Sequence, residues 1–171
     1  MRNKEFSGIC FLNALVELSK TKEFEDIQIQ EICLKAGYNR STFYRSYTSK
    51  VDILLKEFKK GLVKYQMLVD NSKDYTFINK TKLLFDLLKE SSDMMLLTHK
   101  AGLDNQIYDL FYDIYPVRKE DEKALGKYYK PFRTAGVFKI IIQWITSGMK
   151  ETSLEMAHIL ARIMDNCNAD Y

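Results

Sequence analysis

The sequence predicts an all-α protein, with a three-helix unit of helix-turn-helix outline at the N-terminus and a larger helical bundle behind it. Apolar residues recur at intervals of three and four along most of the chain, and no run alternates for long with the period of a strand. Only 2 Pro and 7 Gly interrupt the 171 residues. The stretch IQIQEICLKAGYNRSTFYRSYTSKVDILL, residues 27–55, reads as two short helices joined by a Gly turn, with a further helix starting immediately behind them.

The first helix is expected from about Phe6 to Ser19, with Ile9, Leu12, Leu15, Val16 and Leu18 as a broad inner face. A second runs from about Gln28 to Ala36, where Ile29, Ile32, Cys33 and Ala36 recur at helical spacing before Gly37 stops it. Asn39 is a good N-cap for a third, about Arg40 to Tyr47, which carries two Arg, two Tyr and three small hydroxyls. Ser49-Lys50-Val51-Asp52 opens the fourth with a capping-box arrangement, and it continues to about Val69. The polar stretch Asp70–Tyr75 breaks the chain behind it. With this long linking helix counted in the second domain, the helix-turn-helix domain is residues 1–50 and the C-terminal domain 51–171. Further helices are expected near Phe77–Ser91, Asp93–His99 and Leu103–Tyr115, with a short one inside the charged segment Arg118–Lys130. Two final helices span about Pro131–Ser147 and Ser153–Asn168, the last capped by Thr152-x-x-Glu155.

Charge is placed unevenly. The chain has a net charge of +3, and residues 1–60 hold 11 Lys+Arg against 8 Asp+Glu, while the remainder is balanced at 15 against 15. The whole excess sits with the helix-turn-helix, the sign that suits a nucleic-acid partner. No stretch reaches the apolar length of a membrane span and MRNKEF lacks a signal-peptide core, so a cytoplasmic protein without membrane contact is expected. Cys10, Cys33 and Cys167 form an odd count with no close pair, which points to reduced thiols and away from a disulfide framework or zinc site. Cys10 and Cys33 read as small buried hydrophobes. His99 and His158 lack partner spacings suited to a metal or to nucleophilic catalysis. With no Gly-rich phosphate loop, G-x-S-x-G or fixed carboxylate pair, no enzyme activity, cofactor or metal is expected.

The third helix can be read residue by residue. At 100° per residue, Phe43 and Tyr47 share one face and must pack inward. Ser41 and Arg45 lie opposite, Arg40 and Tyr44 on one flank, Thr42 and Ser46 on the other. The outward face carries no acidic residue. A helix in the major groove of double-stranded DNA sets its outermost side chains on base edges and its flanks on phosphates. Arg45, with Arg40, therefore suits guanine, while Tyr44 and Thr42 suit phosphate. Lys50 falls at the first turn of the fourth helix, where the dipole disfavours a cation but a phosphate is well held. Gln28 and Gln30, at the start of the second helix, are candidates for a second phosphate clamp.

The segment AGYNRSTFYRSYTSKVDILL, with a helix before it, resembles the TetR/AcrR family of bacterial transcriptional regulators over about residues 6–58. The Gly turn, the T-F-Y core, the S-K-x-D-[IL]-L start of the next helix and the N-terminal placement occur together. The region Gly136 … Phe138–Trp144 … Gly148 resembles the final helices of a subset of that family. Two positions depart from it: Gln28 stands where Thr is usual, and Ser46 where His is frequent, which removes one expected phosphate contact. The resemblance implies the phosphate role for Lys50 and an effector site in the C-terminal domain. It also implies a repressor released from a palindromic operator by a small molecule.

Two further groups of residues follow. Tyr108, Phe111, Tyr112 and Tyr115 form one helix face, with Met94 and Met95 before it. A plain helical core accounts for them; the resemblance makes them candidate lining for an apolar or aromatic effector. Phe138, Ile141, Ile142 and Ile145 form one stripe, with Ile140 and Trp144 on a second face, and a helix apolar on two sides must be covered on two sides. In the last helix Met156, Leu160, Ile163 and Cys167 give a stripe that Ile159 and Met164 widen. Pairing with a second subunit as a four-helix bundle would cover both, so a homodimer is expected through Phe138, Ile141, Ile142, Ile145, Leu160, Ile163 and Met164. The alternative function is an activator or interaction protein of the same type, whose C-terminal domain receives a protein partner.

Overall fold

A computed structural model of the chain describes residues 2–71, 76–114 and 124–166, and these form helices and turns with no strand among them. In order the helices are α1 (Arg2–Ser19), α2 (Ile29–Ala36), α3 (Arg40–Tyr44), α4 (Lys50–Asp70) and α5 (Phe77–Glu90), followed by α6 (Ser92–Lys100), α7 (Asp104–Ile114), α8 (Ala124–Thr146) and α9 (Ser153–Asn166). The all-α reading of the sequence holds. Among the described residues no helix is long and apolar enough to cross a membrane. The chain divides into two compact units, Met1–Lys60 with Asp93–Ile107, and Gly61–Ser92 with Tyr108–Tyr171.

The first unit is organised by aromatic rings. Phe11 of α1 is fully buried, with ring centroids 5.3 Å from Tyr38, 5.3 Å from Phe43 and 6.0 Å from Tyr47. The Phe11–Phe43 and Phe11–Tyr47 pairs meet edge to face, the arrangement that aromatic quadrupoles favour. This places the inner face of α1 on Ser7, Phe11, Ala14 and Leu15. Ile9, expected inside, is instead 54% exposed. Helix α1 is apolar on more than one side, and counting aliphatic residues alone set its face wrongly.

Both turns of the motif close as their residues dictate. Gly37 is left-handed at φ 74°, its N–H donates to Leu34 O (3.2 Å) and that of Tyr38 to Cys33 O (3.0 Å), satisfying carbonyls at the end of α2. Asn39 caps α3 by accepting the Thr42 N–H at 2.9 Å. Regular helix stops at Tyr44, short of the expected Tyr47, but the Tyr47 N–H still reaches Phe43 O (2.9 Å) and keeps both rings inside. At the start of α4 the Asp52 N–H donates to Ser49 Oγ (3.1 Å), and the Asp52 carboxylate accepts the Thr48 N–H (2.9 Å). His99 meets Asp104 across the Gly102 turn, with Nδ1 2.9 Å from Oδ2.

In the second unit α5 packs on α9, and α8 is enclosed on two sides. Trp144 meets Phe85 of α5 edge to face at 5.0 Å and donates its indole N–H to Glu151 O at 3.0 Å. Phe138 meets Tyr108 of α7 at 5.6 Å and Phe111 at 6.1 Å. The two apolar sides of α8 are thus covered within one chain. That corrects the interface expected from sequence: Phe138, Ile141, Ile142, Ile145 and Leu160 are all buried core residues of a single chain. Of the residues proposed for pairing, Ile163 is exposed and Met164 half-buried. The Thr152–Glu155 capping box is present, with Glu155 accepting the Thr152 N–H (2.7 Å) and donating its own N–H to Thr152 Oγ1 (3.2 Å).

Helix α8 starts earlier than expected. The turns before Pro131, read as a separate short helix, belong to α8, with Pro131 inside it. A proline there removes one N–H and leaves the Lys127 carbonyl without its usual donor, a local cost that the long buried run behind it outweighs.

The expected outcome for Ile142→Glu follows from this packing. An unpaired carboxylate in the α8 core should lower the thermal midpoint by about 10 °C or more, read by circular dichroism. A folded monomer with an unchanged midpoint would contradict it.

Candidate nucleic-acid interface

Helix α3 is only five residues long, and a helix of that length has no stability of its own in water. Its direction is set by one buried anchor, Phe43, which stacks on Phe11 and on Tyr47 (5.8 Å). Opposite that anchor Ser41 and Arg45 are exposed, as are Arg40 at the first position and Tyr44 on the flank, whose ring meets Phe43 edge to face at 5.3 Å. Among the described residues nothing accepts a hydrogen bond from the Arg45 guanidinium, and residues 39–50 include no carboxylate. The result is a short, rigidly seated, cationic ridge.

The structure joins several of the sequence-predicted residues to one another. Arg40 Nη2 donates to Gln30 Oε1 at 2.7 Å, tying the start of α3 to the first turn of α2 and leaving the Gln30 amide N–H groups outward. The Ser41 and Thr42 hydroxyls both donate to Asn39 Oδ1 (2.9 and 2.8 Å), so they serve the cap. Gln28, exposed, is the N-cap residue of α2, and its N–H donates to the Glu31 carboxylate at 3.0 Å. Glu31 is held below the usual carboxylate range, chiefly by its contact with Lys22 and next by the Gln28 N–H.

Lys50 is placed differently from the sequence expectation. Its ammonium donates to Glu25 O (2.7 Å), Ile27 O (3.0 Å) and Phe24 O, and lies 4.8 Å from the centre of the Phe24 ring. Three donors meet three carbonyls, so the group is spent inside the loop before α2. The dipole argument identified a cation at an unfavourable position; what compensates it is backbone oxygen, not phosphate.

A cluster behind α3 gave no signal in the sequence reading. The Tyr47 hydroxyl bonds the Glu57 carboxylate, which also pairs with Lys60 Nζ at 2.6 Å. Burial, reinforced by Glu57, pushes the Tyr47 phenol well above its ordinary range, so it stays a donor. Gly8 of α1 makes room for it. A Cβ there would lie 2.7 Å from the Tyr47 oxygen and 2.9 Å from Glu57 Oε1. A glycine one turn before a core phenylalanine is the only trace this contact leaves in the sequence.

The family model of the TetR-type transcriptional regulator C-terminal region matches residues 75–166, more than half of the chain. The chain belongs to the TetR family of transcriptional regulators. A Bacillus subtilis (strain 168) protein described as the uncharacterized HTH-type transcriptional regulator YxbF is 21% identical over 174 residues, which is 96% of this chain and 45% of that protein. The chain thus spans less than half the length of that curated relative. Three solved structures share the fold. Lin0861 from Listeria innocua matches with a TM-score of 0.77 at 15% identity, over 96% of this chain and 93% of that one. The dihydroxyacetone kinase operon activator DhaS matches at 0.66 and 15% identity, over 92% and 93%. The fatty acid degradation regulator FadR from Bacillus halodurans matches at 0.60 and 13% identity, over 92% and 93%.

In this regulator three of the residues proposed to line an effector site, Met94, Met95 and Phe111, are buried. Met94 and Met95 are buried in the first unit. Phe111 is buried and Tyr108 and Tyr112 half-buried in the second, where Tyr108 and Phe111 pack on Phe138. Tyr115 lies outside the described residues. A cleft of about 400 Å³ in the second unit is lined by other side chains, of α5, α8 and α9.

The two cationic residues next to the motif should respond differently to truncation. Lys50→Ala leaves three loop carbonyls without their donor and should cost about 1–3 kcal/mol. Arg45→Ala should stay within about 0.5 kcal/mol of wild type. Urea denaturation of both variants without DNA checks the contrast, and equal stabilities would contradict the placement of Lys50.

Proposed function

We propose that this regulator binds a palindromic operator in the cytoplasm as a homodimer, most plainly as a repressor, and leaves it when a small molecule occupies the C-terminal unit. The observation that carries the DNA-binding part is the outward face of α3. It is exposed, free of acidic side chains, and presents an Arg45 guanidinium with no partner among the described residues. In this reading Arg45 reads a guanine edge, with Ser41 and Tyr44 beside it. Arg40, braced by Gln30, meets the phosphate backbone together with the outward amide of Gln30 and the end of α2 at Gln28. Lys50 acts at one remove, by fixing the loop that delivers α2.

Operator affinity over a salt series separates these roles. Arg45→Ala should relax base preference at one position per half-site, a loss of about 1–3 kcal/mol of discrimination. Arg40→Ala should weaken specific and scrambled DNA alike and lower the salt slope by about one per subunit. Unchanged binding in both would remove α3 as the reading element.

For the dimer, the buried stripe of α8 is not available, and the reading moves to exposed apolar side chains on the other side of the same two helices. Phe132 of α8 is 66% exposed, and Ile159 and Ile163 of α9 are 41% and 39% exposed, one turn apart on one face. Two copies joined there would form a four-helix bundle, and a palindromic operator would offer the two α3 helices half-sites one turn of DNA apart, roughly 34–36 Å. A ligand that favours another spacing would lower operator affinity by its differential affinity for the two states. Ile159→Glu with Ile163→Glu should give a folded monomer by sedimentation, with operator affinity reduced. A wild type that sediments as a monomer would end the dimer reading.

A second reading is an activator that contacts another protein. Tyr128, 67% exposed, lies one turn before Phe132 on α8 and adds a second exposed ring there, and one structural neighbour is by name an operon activator. Transcription in vitro with and without the regulator distinguishes the two.

A further inference from the structure

The cleft of the second unit contains an unusual group. Arg133 of α8 is 93% buried by its 7% exposure, and it faces this cleft. One guanidinium nitrogen, Nη1, donates to the Tyr129 hydroxyl at 2.9 Å, and the guanidinium lies 5.1 Å from the Tyr129 ring. Its Nε is buried with no hydrogen-bond partner, and no carboxylate among the described residues lies within ion-pair distance. A buried arginine costs several kcal/mol unless an anion and hydrogen bonds meet it. Among the described residues one phenol meets it.

The opposite wall is complementary. The cleft is lined by Thr76, Phe77 and Ile78, the cap and first turn of α5. Thr76 Oγ1 accepts the Asn79 N–H at 3.3 Å, while the N–H groups of Phe77 and Ile78 have no carbonyl partner within a helix. These N–H groups and the positive end of a 14-residue helix favour an anion. Helix α9 contributes Met164 and, exposed at the rim, Asp165. The volume of about 400 Å³ falls in the range of small-molecule sites.

We propose that this cleft binds an amphipathic monocarboxylate, its carboxylate bridging Arg133 and the first turn of α5 and its apolar body lying against Phe77, Ile78 and Met164. Asp165 at the rim selects against ligands carrying two negative charges, which favours a carboxylate head over a phosphate. The proposal rests on the effector reading above, for which it names a site and a ligand class.

The test uses the DNA-free protein and four probes with one tail: octanoate, 1-octanol, octylammonium and octyl phosphate. Calorimetry and thermal shift should show octanoate binding tightest. Arg133→Met, which keeps length and removes the charge, should raise the melting temperature of the unliganded protein, because it removes an unsatisfied buried charge. It should also weaken octanoate binding by about 10- to 100-fold, the worth of a charge-assisted contact, and leave 1-octanol unaffected. Arg133→Lys should recover part of the loss. A lower melting temperature for Arg133→Met with octanoate binding unchanged makes Arg133 a structural residue and overturns the proposal. Equal binding of octanoate and 1-octanol, or a preference for octylammonium or octyl phosphate, overturns it as well. Operator affinity is measured separately. Arg133-dependent octanoate binding that leaves operator affinity unaltered upholds the site and overturns the effector reading.

Discussion

The contact between Phe11, Phe43 and Tyr47 is the constraint on which the N-terminal unit depends. A five-residue helix cannot hold a direction through its own hydrogen bonds, because nucleation costs more than so few bonds return. What fixes α3 is that its one inward ring meets a fully buried ring of α1 edge to face, while Tyr47 closes the other side of the same cluster. The supports of that cluster are arranged in turn. Gly8 leaves room for the Tyr47 hydroxyl, Glu57 of α4 receives it, and Lys60 neutralises Glu57. Two helices, α1 and α4, are thereby tied to one short element without a covalent link.

Electrostatics near the motif are turned inward as well as outward. Lys50 sits where a helix dipole repels it, yet three carbonyls of the preceding loop and the face of Phe24 surround it. Lys56 is used in a similar way, donating to Ser46 O at 2.9 Å and to Asp52 at 2.8 Å, just behind α3. On α3 itself Arg40 is braced by Gln30, whereas the Arg45 guanidinium has no acceptor among the described residues. Counting basic residues in the segment would overstate what a nucleic acid can meet, since part of that charge is structural.

Much of the fold was legible because short-range chemistry announces it. Gly37, Asn39 and the Thr152–Glu155 pair each act within four residues and do in space what type and spacing indicated. Ser49 accepts the Asp52 N–H, but the Asp52 carboxylate turns to the Thr48 N–H instead of completing a capping box. Less legible were features that depend on which element covers which. The apolar faces of α8 were real, but α5 and α7 cover them within the chain, and periodicity cannot tell a partner in the same chain from one in another. The face of α1 was misplaced because Ile9 and Phe11 are both apolar, and only the ring is needed inside. Lys50 and Arg133 show the same limit for charges. Sequence tells that a cation is there, but whether it meets carbonyls or a phenol is decided by residues 23 or more positions away in the first case and by the walls of a cleft in the second.

The division of labour within α3 bears on how such a chain changes over generations. Folding depends on Phe43, whereas Arg45 projects from the opposite side and takes no part in the packing. Replacement of Arg45 is therefore nearly silent for the scaffold, and a duplicated copy can drift there without first losing its structure. Innovation in what the ridge contacts is uncoupled from survival of the fold, whereas a side chain added at Gly8 would run into Tyr47 and Glu57, and a change at Phe11 would strike a fully buried ring.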